Sequence, residues 1–343
     1  MTPALPRRML ALGLAAAALY LLLLQPNHPR AVTWAALTSF PLEWPALLLA
    51  LVALGRGWVG GVLRVVLVAA LLLLAVLKAA DLAMFTAFAR GFNPVADLAL
   101  AEAGLRLLTG AIGPVLTGLA ILGALVAVGA LGALLWWATG AWAGLAAGRP
   151  VTRATAGVAA LMAAGVAAAD ARPEAAPWAW PQDAPGTAFT LRFGLERAQT
   201  ARDTWADLRA FEAAAAADPF AGADGMLDLI DRDVIVVFVE SYGRTSLDTP
   251  LYAELHRATL RAGEAELAAR GLSTASGLLA SPTRGGQSWL AHATFANGLW
   301  IDGPARYGAV LASGRETLFH LAARAGFHTA AVMPQITLDW PES

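Results

Sequence analysis

The chain has 343 residues, of which 58% are hydrophobic and 14% are charged, and its mean hydropathy is +0.58. This composition excludes an ordinary soluble domain and indicates a membrane protein. The net charge of −1 provides no basic surface for nucleic acid, and the lack of cysteine excludes disulfides, thiolate metal sites and cysteine nucleophiles.

Apolar segments fill residues 1–170 and predict a helical membrane domain with about five spans. They are Met9–Leu24, Pro41–Gly55, Trp58–Leu77, Ile112–Trp137 and Ala154–Ala169. Several are shorter than the roughly 20 residues that cross a bilayer comfortably. No small-residue cleavage site follows the first segment, so we expect a retained anchor instead of a signal peptide. None of the spans carries a convincing buried charge, which makes a transporter the weakest hypothesis.

Basic residues at alternate segment ends predict the orientation of the spans. They are Arg7, Arg8, Arg56, Arg149 and Arg153. Placing all of them in the cytoplasm satisfies the positive-inside rule. Five spans then place everything after Ala169 outside the cytoplasm, and the resulting expectation is a multi-pass protein of the bacterial inner membrane.

Two segments do not fit a membrane span or a globular core. Residues 81–108 mix charges with apolar residues and contain Gly91 and Pro94, which predicts two short interfacial helices. Residues 171–232 are predicted to form a proline-rich linker, with Trp178 and Trp180 at the membrane surface, and a juxtamembrane helix over Glu196–Ala217.

Residues 233–343 alternate between short apolar runs and helical patterns. Strands are predicted at 233–240, 273–280 and 328–334, and helices at Leu251–Gly271, Ser288–Asn297 and Glu316–Gly326. This alternation predicts a three-layer α/β domain with a mostly parallel sheet. The chain ends directly after the third predicted strand, so we expect an incomplete, C-terminally truncated domain.

Two positions in this domain are candidates for chemistry. Glu240 ends the first predicted strand, where a carboxylate can bind a divalent metal; the alternative is a helix cap or a pair with Arg244. Ser288 follows the predicted glycine turn at 285–286 and begins a helix, where unpaired backbone amides and the helix dipole favour binding of an anionic ester next to its hydroxyl. The alternative is an ordinary helix cap. His292 lies on the same helix face as Ser288, although packing is the more common role for such a residue.

The segments ESYGRTSLD (240–248) and GGQS (285–288) resemble two motifs of the sulfatase-like branch of the alkaline phosphatase superfamily. Within it they resemble lipoteichoic-acid-synthase-type phosphoglycerol transferases and phosphoethanolamine transferases. The resemblance implies that Glu240 and Ser288 bind Mn, Mg or Zn, that Ser288 is the nucleophile, and that Trp340 contacts substrate. Arg244 and His292 are further candidates for substrate contact. The chain departs from the family in having Ser for the usual Thr and in lacking an Asp-His dipeptide.

The function implied is a membrane-anchored, metal-dependent transferase or hydrolase that acts on phosphate or sulfate esters outside the cytoplasm. Its implied partners are membrane lipids, with a lipid-derived headgroup as donor and an envelope glycan or lipid as acceptor. The alternative hypothesis is a non-catalytic pseudoenzyme or structural protein of the cell envelope.

Overall fold

The computed structural model describes residues 4–145, 149–172, 186–239, 242–283 and 287–333. The chain divides into two compact units, Met1–Thr204 and Trp205–Ser343. The first unit contains the apolar helices, and the second contains the residues singled out for chemistry.

The structure describes twelve α-helices. Those that begin in the first unit are α1 (Ala4–Leu23), α2 (Glu43–Leu54), α3 (Trp58–Phe88), α4 (Leu100–Ile112), α5 (Pro114–Ala143), α6 (Pro150–Ala171) and α7 (Phe189–Ala216). Those of the second unit are α8 (Thr245–Asp248), α9 (Pro250–Ala269), α10 (Ser288–Asn297), α11 (Pro304–Ala312) and α12 (Leu318–Arg324). The boundary between the units falls inside α7.

Four described helices are long and apolar enough to cross a membrane, which fits a membrane protein. They are α1 from Pro6 onward, α3, α5 and α6. Five helices of spanning length were predicted and four are described, because α2, at the second predicted segment, has only 12 residues. At 1.5 Å per residue it is about 18 Å long, well short of a hydrocarbon core of about 30 Å.

Helix α3 is longer than its apolar run predicts. The expected span ended at Leu77, but α3 continues to Phe88 and stops where Ala89 adopts a left-handed conformation with φ of 54°. Lys78 and Asp81 therefore lie within the helix and are 1% and 0% exposed. The expectation that no span carries a buried charge is wrong, because long-range partners, which the local pattern does not reveal, shield both side chains.

Two polar ends bound the helix bundle of the first unit. At the arginine end, Arg8, Arg56, Arg64 and Arg153 donate to backbone or hydroxyl oxygens near the C-termini of α2 and α5. At the ion-pair end, the C-termini of α1, α3 and α6 meet the N-termini of α2 and α7. Helix α2 connects both ends, since Leu54 O accepts from Arg153 and the Glu43 carboxylate accepts from the Leu191 amide.

The second unit has a small apolar core around α10. Leu290 and Ala293 of α10 are buried with Ile301, Val310 of α11 and Phe211 of α7. The helices predicted over 251–271, 288–297 and 316–326 are confirmed as α9, α10 and α12.

The predicted three-layer α/β domain is wrong. Across the described part of the chain there is no strand or sheet, and the only β-type pairing is the isolated bridge between Pro41 and Thr187. The first predicted strand leaves Ile235 86% and Val237 73% exposed. An apolar, β-branched run predicts burial, but a strand also needs neighbouring backbone to pair with, and these residues have no such ladder.

Candidate functional site

Ser288 is the first residue of α10 and is half-buried. The helix begins directly after Gln287, whose φ of 55° lies in the left-handed region, and the Leu290 amide donates to Gln287 O at 3.0 Å. The first amides of a helix lack acceptors within it, and the helix dipole places positive potential there. The hydroxyl therefore lies where an anionic group is favoured.

His292, one turn after Ser288, is buried against the segment that precedes Glu240. Its ring centroid lies 4.3 Å from that of Phe238, and Phe238 also contacts Phe295 edge-to-face at 5.5 Å. The structure thus brings Phe238, two residues before Glu240, against the helix that begins at Ser288. A packing role for His292 is evident, and its predicted contact with substrate stays a prediction.

Arg244 makes a local ion pair. Its Nε lies 2.5 Å from Asp248 Oδ2, one helical turn away in α8, and both side chains are at least half exposed. Next to it, the Tyr242 hydroxyl and His256 Nε2 are 2.7 Å apart. The Tyr242–His256 contact connects the turn after residue 242 to α9. The role of Arg244 in substrate binding stays a prediction.

The predicted metal site lies only partly within the described residues, and it stays a prediction. Glu240 and Trp340 lie outside them, and the described part of the chain contains no group of three or more His, Asp or Glu side chains placed to hold a metal ion. Ser288 alone is not a ligand set for Mn²⁺, Mg²⁺ or Zn²⁺, which take several oxygen or nitrogen ligands.

The sequence patterns did not predict the buried charges of Lys78 and Asp81 at the ion-pair end. Lys78 Nζ donates to Leu23 O at 3.0 Å and to Thr190 Oγ1 at 2.7 Å, and it lies 4.7 Å from the centre of the Phe189 ring. Asp81 accepts from the side chain of Asn27 at 2.9 Å and from the Phe92 amide at 2.6 Å.

Arg197 completes this network from α7. Its Nη1 lies 3.5 Å from Asp81 Oδ1 and donates to Phe92 O at 2.6 Å. The network joins residues that are 116 positions apart in the chain. Each charge has a partner, so the network is suited to fixing α7 and the 90–93 turn on the end of α3.

No protein-family model, curated protein or solved structure matches this chain.

Proposed function

We propose that this chain is a membrane-anchored protein that transfers or hydrolyses phosphate esters at the membrane surface, with Ser288 as the nucleophile. One observation carries the proposal: Phe238 packs on His292 and Phe295 of α10. This contact supports bringing the segment that leads to Glu240 next to the helix that begins at Ser288. These are the two stretches that the family resemblance pairs.

The chemistry proceeds in two steps. The Ser288 hydroxyl loses its proton as its oxygen attacks phosphorus, and an O–P bond to serine forms. The O–P bond to the leaving alcohol breaks, and that alcohol takes up the released proton. An acceptor hydroxyl or water then attacks the phosphoserine, the serine O–P bond breaks, and Ser288 regains its proton. The N-terminal amides of α10 stabilise the negative charge of the phosphoryl group in both steps.

The proposal includes a direction across the membrane. Helices α1, α3 and α6 begin at the arginine end and finish at the ion-pair end. If the arginine end faces the cytoplasm, as basic residues prefer, the chain leaves α6 on the opposite side. A lipid-derived headgroup of the outer leaflet is then the donor, and an envelope glycan or lipid is the acceptor.

The test compares Ser288→Ala with Ser276→Ala in the full chain reconstituted in vesicles. Ser276 lies in an exposed segment, residues 271–281, so its replacement removes a hydroxyl without touching α10. The assay follows release or transfer of the labelled headgroup from phosphatidylglycerol and phosphatidylethanolamine in the presence of Mn²⁺. We expect Ser288→Ala to lose turnover by at least about 100-fold, in line with the loss of a nucleophile, and Ser276→Ala to retain it.

A second readout identifies the intermediate. Acid quenching during turnover, followed by peptide mass spectrometry, is expected to find the phosphoryl-linked headgroup or phosphate on the peptide containing Ser288 and on no other serine. Equal turnover in both variants would refute Ser288 as the nucleophile. A wild-type chain that turns over neither lipid would favour the non-catalytic envelope protein.

A further inference from the structure

A cavity of about 600 Å³ opens at the arginine end of the first unit. Three arginines line it, Arg8 from α1, Arg56 from the turn before α3, and Arg64 from α3. The remaining wall comes from α1, including Leu12, and from the C-terminal end of α5, including Trp136 and Gly140. The cavity thus combines three cations with an indole at the end of the candidate spans.

The three guanidinium groups make few bonds to protein. Arg8 donates to Gly144 O at 3.3 Å, and Arg56 donates to Gly140 O at 3.2 Å. Arg64 donates to Thr139 Oγ1 at 3.0 Å and to Trp136 O. Since a guanidinium carries five N–H donors, most of the donors at the cavity can serve a ligand.

These arginines also lack a carboxylate partner. Among the described residues, no ion pair of the first unit involves an arginine of the cavity. The pairs lie elsewhere, such as Arg197 with Asp81 and Arg192 with Asp170 at the ion-pair end. The simpler explanation is that the arginines only cap the C-terminus of α5. The carbonyls of a helix end carry about half a negative charge, however, which leaves most of three positive charges unbalanced. A bound anion would supply the missing charge.

Two glycines make room for the arginines on one face of α5. A Cβ atom at Gly140 would lie 2.7 Å from Arg64 Nη2, and one at Gly144 would lie 2.8 Å from Arg56 Nη2. Arg64 also lies over the Trp136 ring, with Cζ 3.7 Å from the ring centre. The side chains are thus oriented before a ligand arrives, as phosphate recognition by paired arginine forks requires.

We propose that this cavity binds the phosphate of an anionic phospholipid headgroup. A phosphodiester matches the arginine donors in charge and geometry. Trp136 and Trp137 are each a little under half exposed and suit the headgroup layer, while Leu12 of α1 gives the wall an apolar surface for the start of an acyl chain. These features favour a lipid over free phosphate. The site lies in the first unit and does not depend on the activity proposed for Ser288.

The test measures lipid retention by the full chain in detergent micelles with native mass spectrometry. Dioleoylphosphatidylglycerol is titrated against dioleoylphosphatidylcholine, and inorganic phosphate is added in a separate arm as competitor. We expect phosphatidylglycerol to bind at least about tenfold more tightly than phosphatidylcholine. Phosphate at a concentration matched to the lipid is expected not to displace it.

Matched variants connect binding to the cavity. Arg56→Gln is expected to weaken phosphatidylglycerol binding by about tenfold or more, whereas Arg149→Gln, which removes the same charge from an exposed position before α6, leaves it unchanged. Gly140→Ala is expected to weaken binding by displacing Arg64. Gly129→Ala on the same helix, where a Cβ has open space, is the control for folding.

Three results would overturn the proposal. Equal affinity for the two lipids would exclude a specific headgroup site. Equal losses in Arg56→Gln and Arg149→Gln would reduce the effect to general surface charge. Efficient competition by inorganic phosphate would assign the cavity to a free anion and remove the lipid from it.

Discussion

The carboxylate of Asp81 is expected to be the main contributor to stability at the ion-pair end. It is fully buried, and Asp81→Ala removes the acceptor of the Asn27 side chain and of the Phe92 amide, together with the ion pair to Arg197. Breaking a buried pair from one side costs about 3–5 kcal/mol, because the remaining charge loses its partner. Arg197 keeps its hydrogen bond to Phe92 O, and its side chain is 19% exposed. We therefore expect the loss of its ion pair to cost about 3 kcal/mol, the lower limit of that range. The two orphaned donors add about 1–3 kcal/mol each, so the expected total loss is at least about 5 kcal/mol.

The assay is a titration of the full chain in micelles with sodium dodecyl sulfate, combined with hydrogen exchange of the peptide that contains Phe92. We expect an earlier unfolding midpoint and faster exchange of that peptide, because the Phe92 amide donates directly to Asp81. Asp203→Ala is the control, since Asp203 pairs with Arg202 at 3.4 Å but is 59% exposed. Such a surface pair contributes less than about 1 kcal/mol. Equal losses in the two variants would refute the view that the network fixes α7 on α3.

Two further changes test the packing of each unit separately. Lys78→Met keeps an apolar stem of similar length and removes the charge. We expect the free energy of unfolding to fall by about 1–3 kcal/mol in the same titration, which is less than for Asp81→Ala. The effect is smaller because Leu23 O keeps a donor in the Thr190 hydroxyl. Ile301→Ala in the fully buried core of the second unit is expected to lower the stability of that unit by about 2–5 kcal/mol, measured as faster hydrogen exchange in α10. The control is Leu279→Ala at a 98% exposed position, which should leave hydrogen exchange in α10 unchanged.

Helices with clear local signals could be predicted from the sequence. The glycines expected to end α9 and α12 adopt left-handed conformations in the structure, with φ of 77° at Gly271 and 90° at Gly326. Helix α10 begins at Ser288 and ends at Asn297, as predicted. Such boundaries depend on neighbouring residues alone, because capping and left-handed glycine are local properties of the backbone.

Features that depend on distant partners could not be predicted. The apolar run of α3 stops at Leu77, and a charged residue follows at once, which is the usual pattern of a span end. The helix continues because Thr190, 112 residues later in the chain, accepts a hydrogen bond from Lys78. The strand prediction at 233–240 failed for a related reason, since a strand is defined by pairing with another segment, which no local pattern specifies.

The candidate site shows the same limit. Sequence patterns selected Ser288 for its place at a helix start, and that placement is local and correct. They also assigned no contact to Phe238, although its ring packs on His292 of α10. Apolar contacts between segments more than 50 residues apart arise from tertiary packing. Hydrophobic periodicity predicts which face of a segment is buried, but it does not predict which other segment packs against that face.

The two ends of the first unit differ because acidic residues are distributed unevenly along the chain. Residues 1–42, 44–80 and 103–169 contain no Asp or Glu, and these stretches supply all the side chains of the arginine end. The carboxylates of Glu43, Asp81 and Asp170 instead accept hydrogen bonds at the opposite end. Cations at the ion-pair end are therefore neutralised within the fold, where they stabilise it. Those at the arginine end can be neutralised only from outside the helix bundle, and an anionic leaflet provides that charge where the spans end.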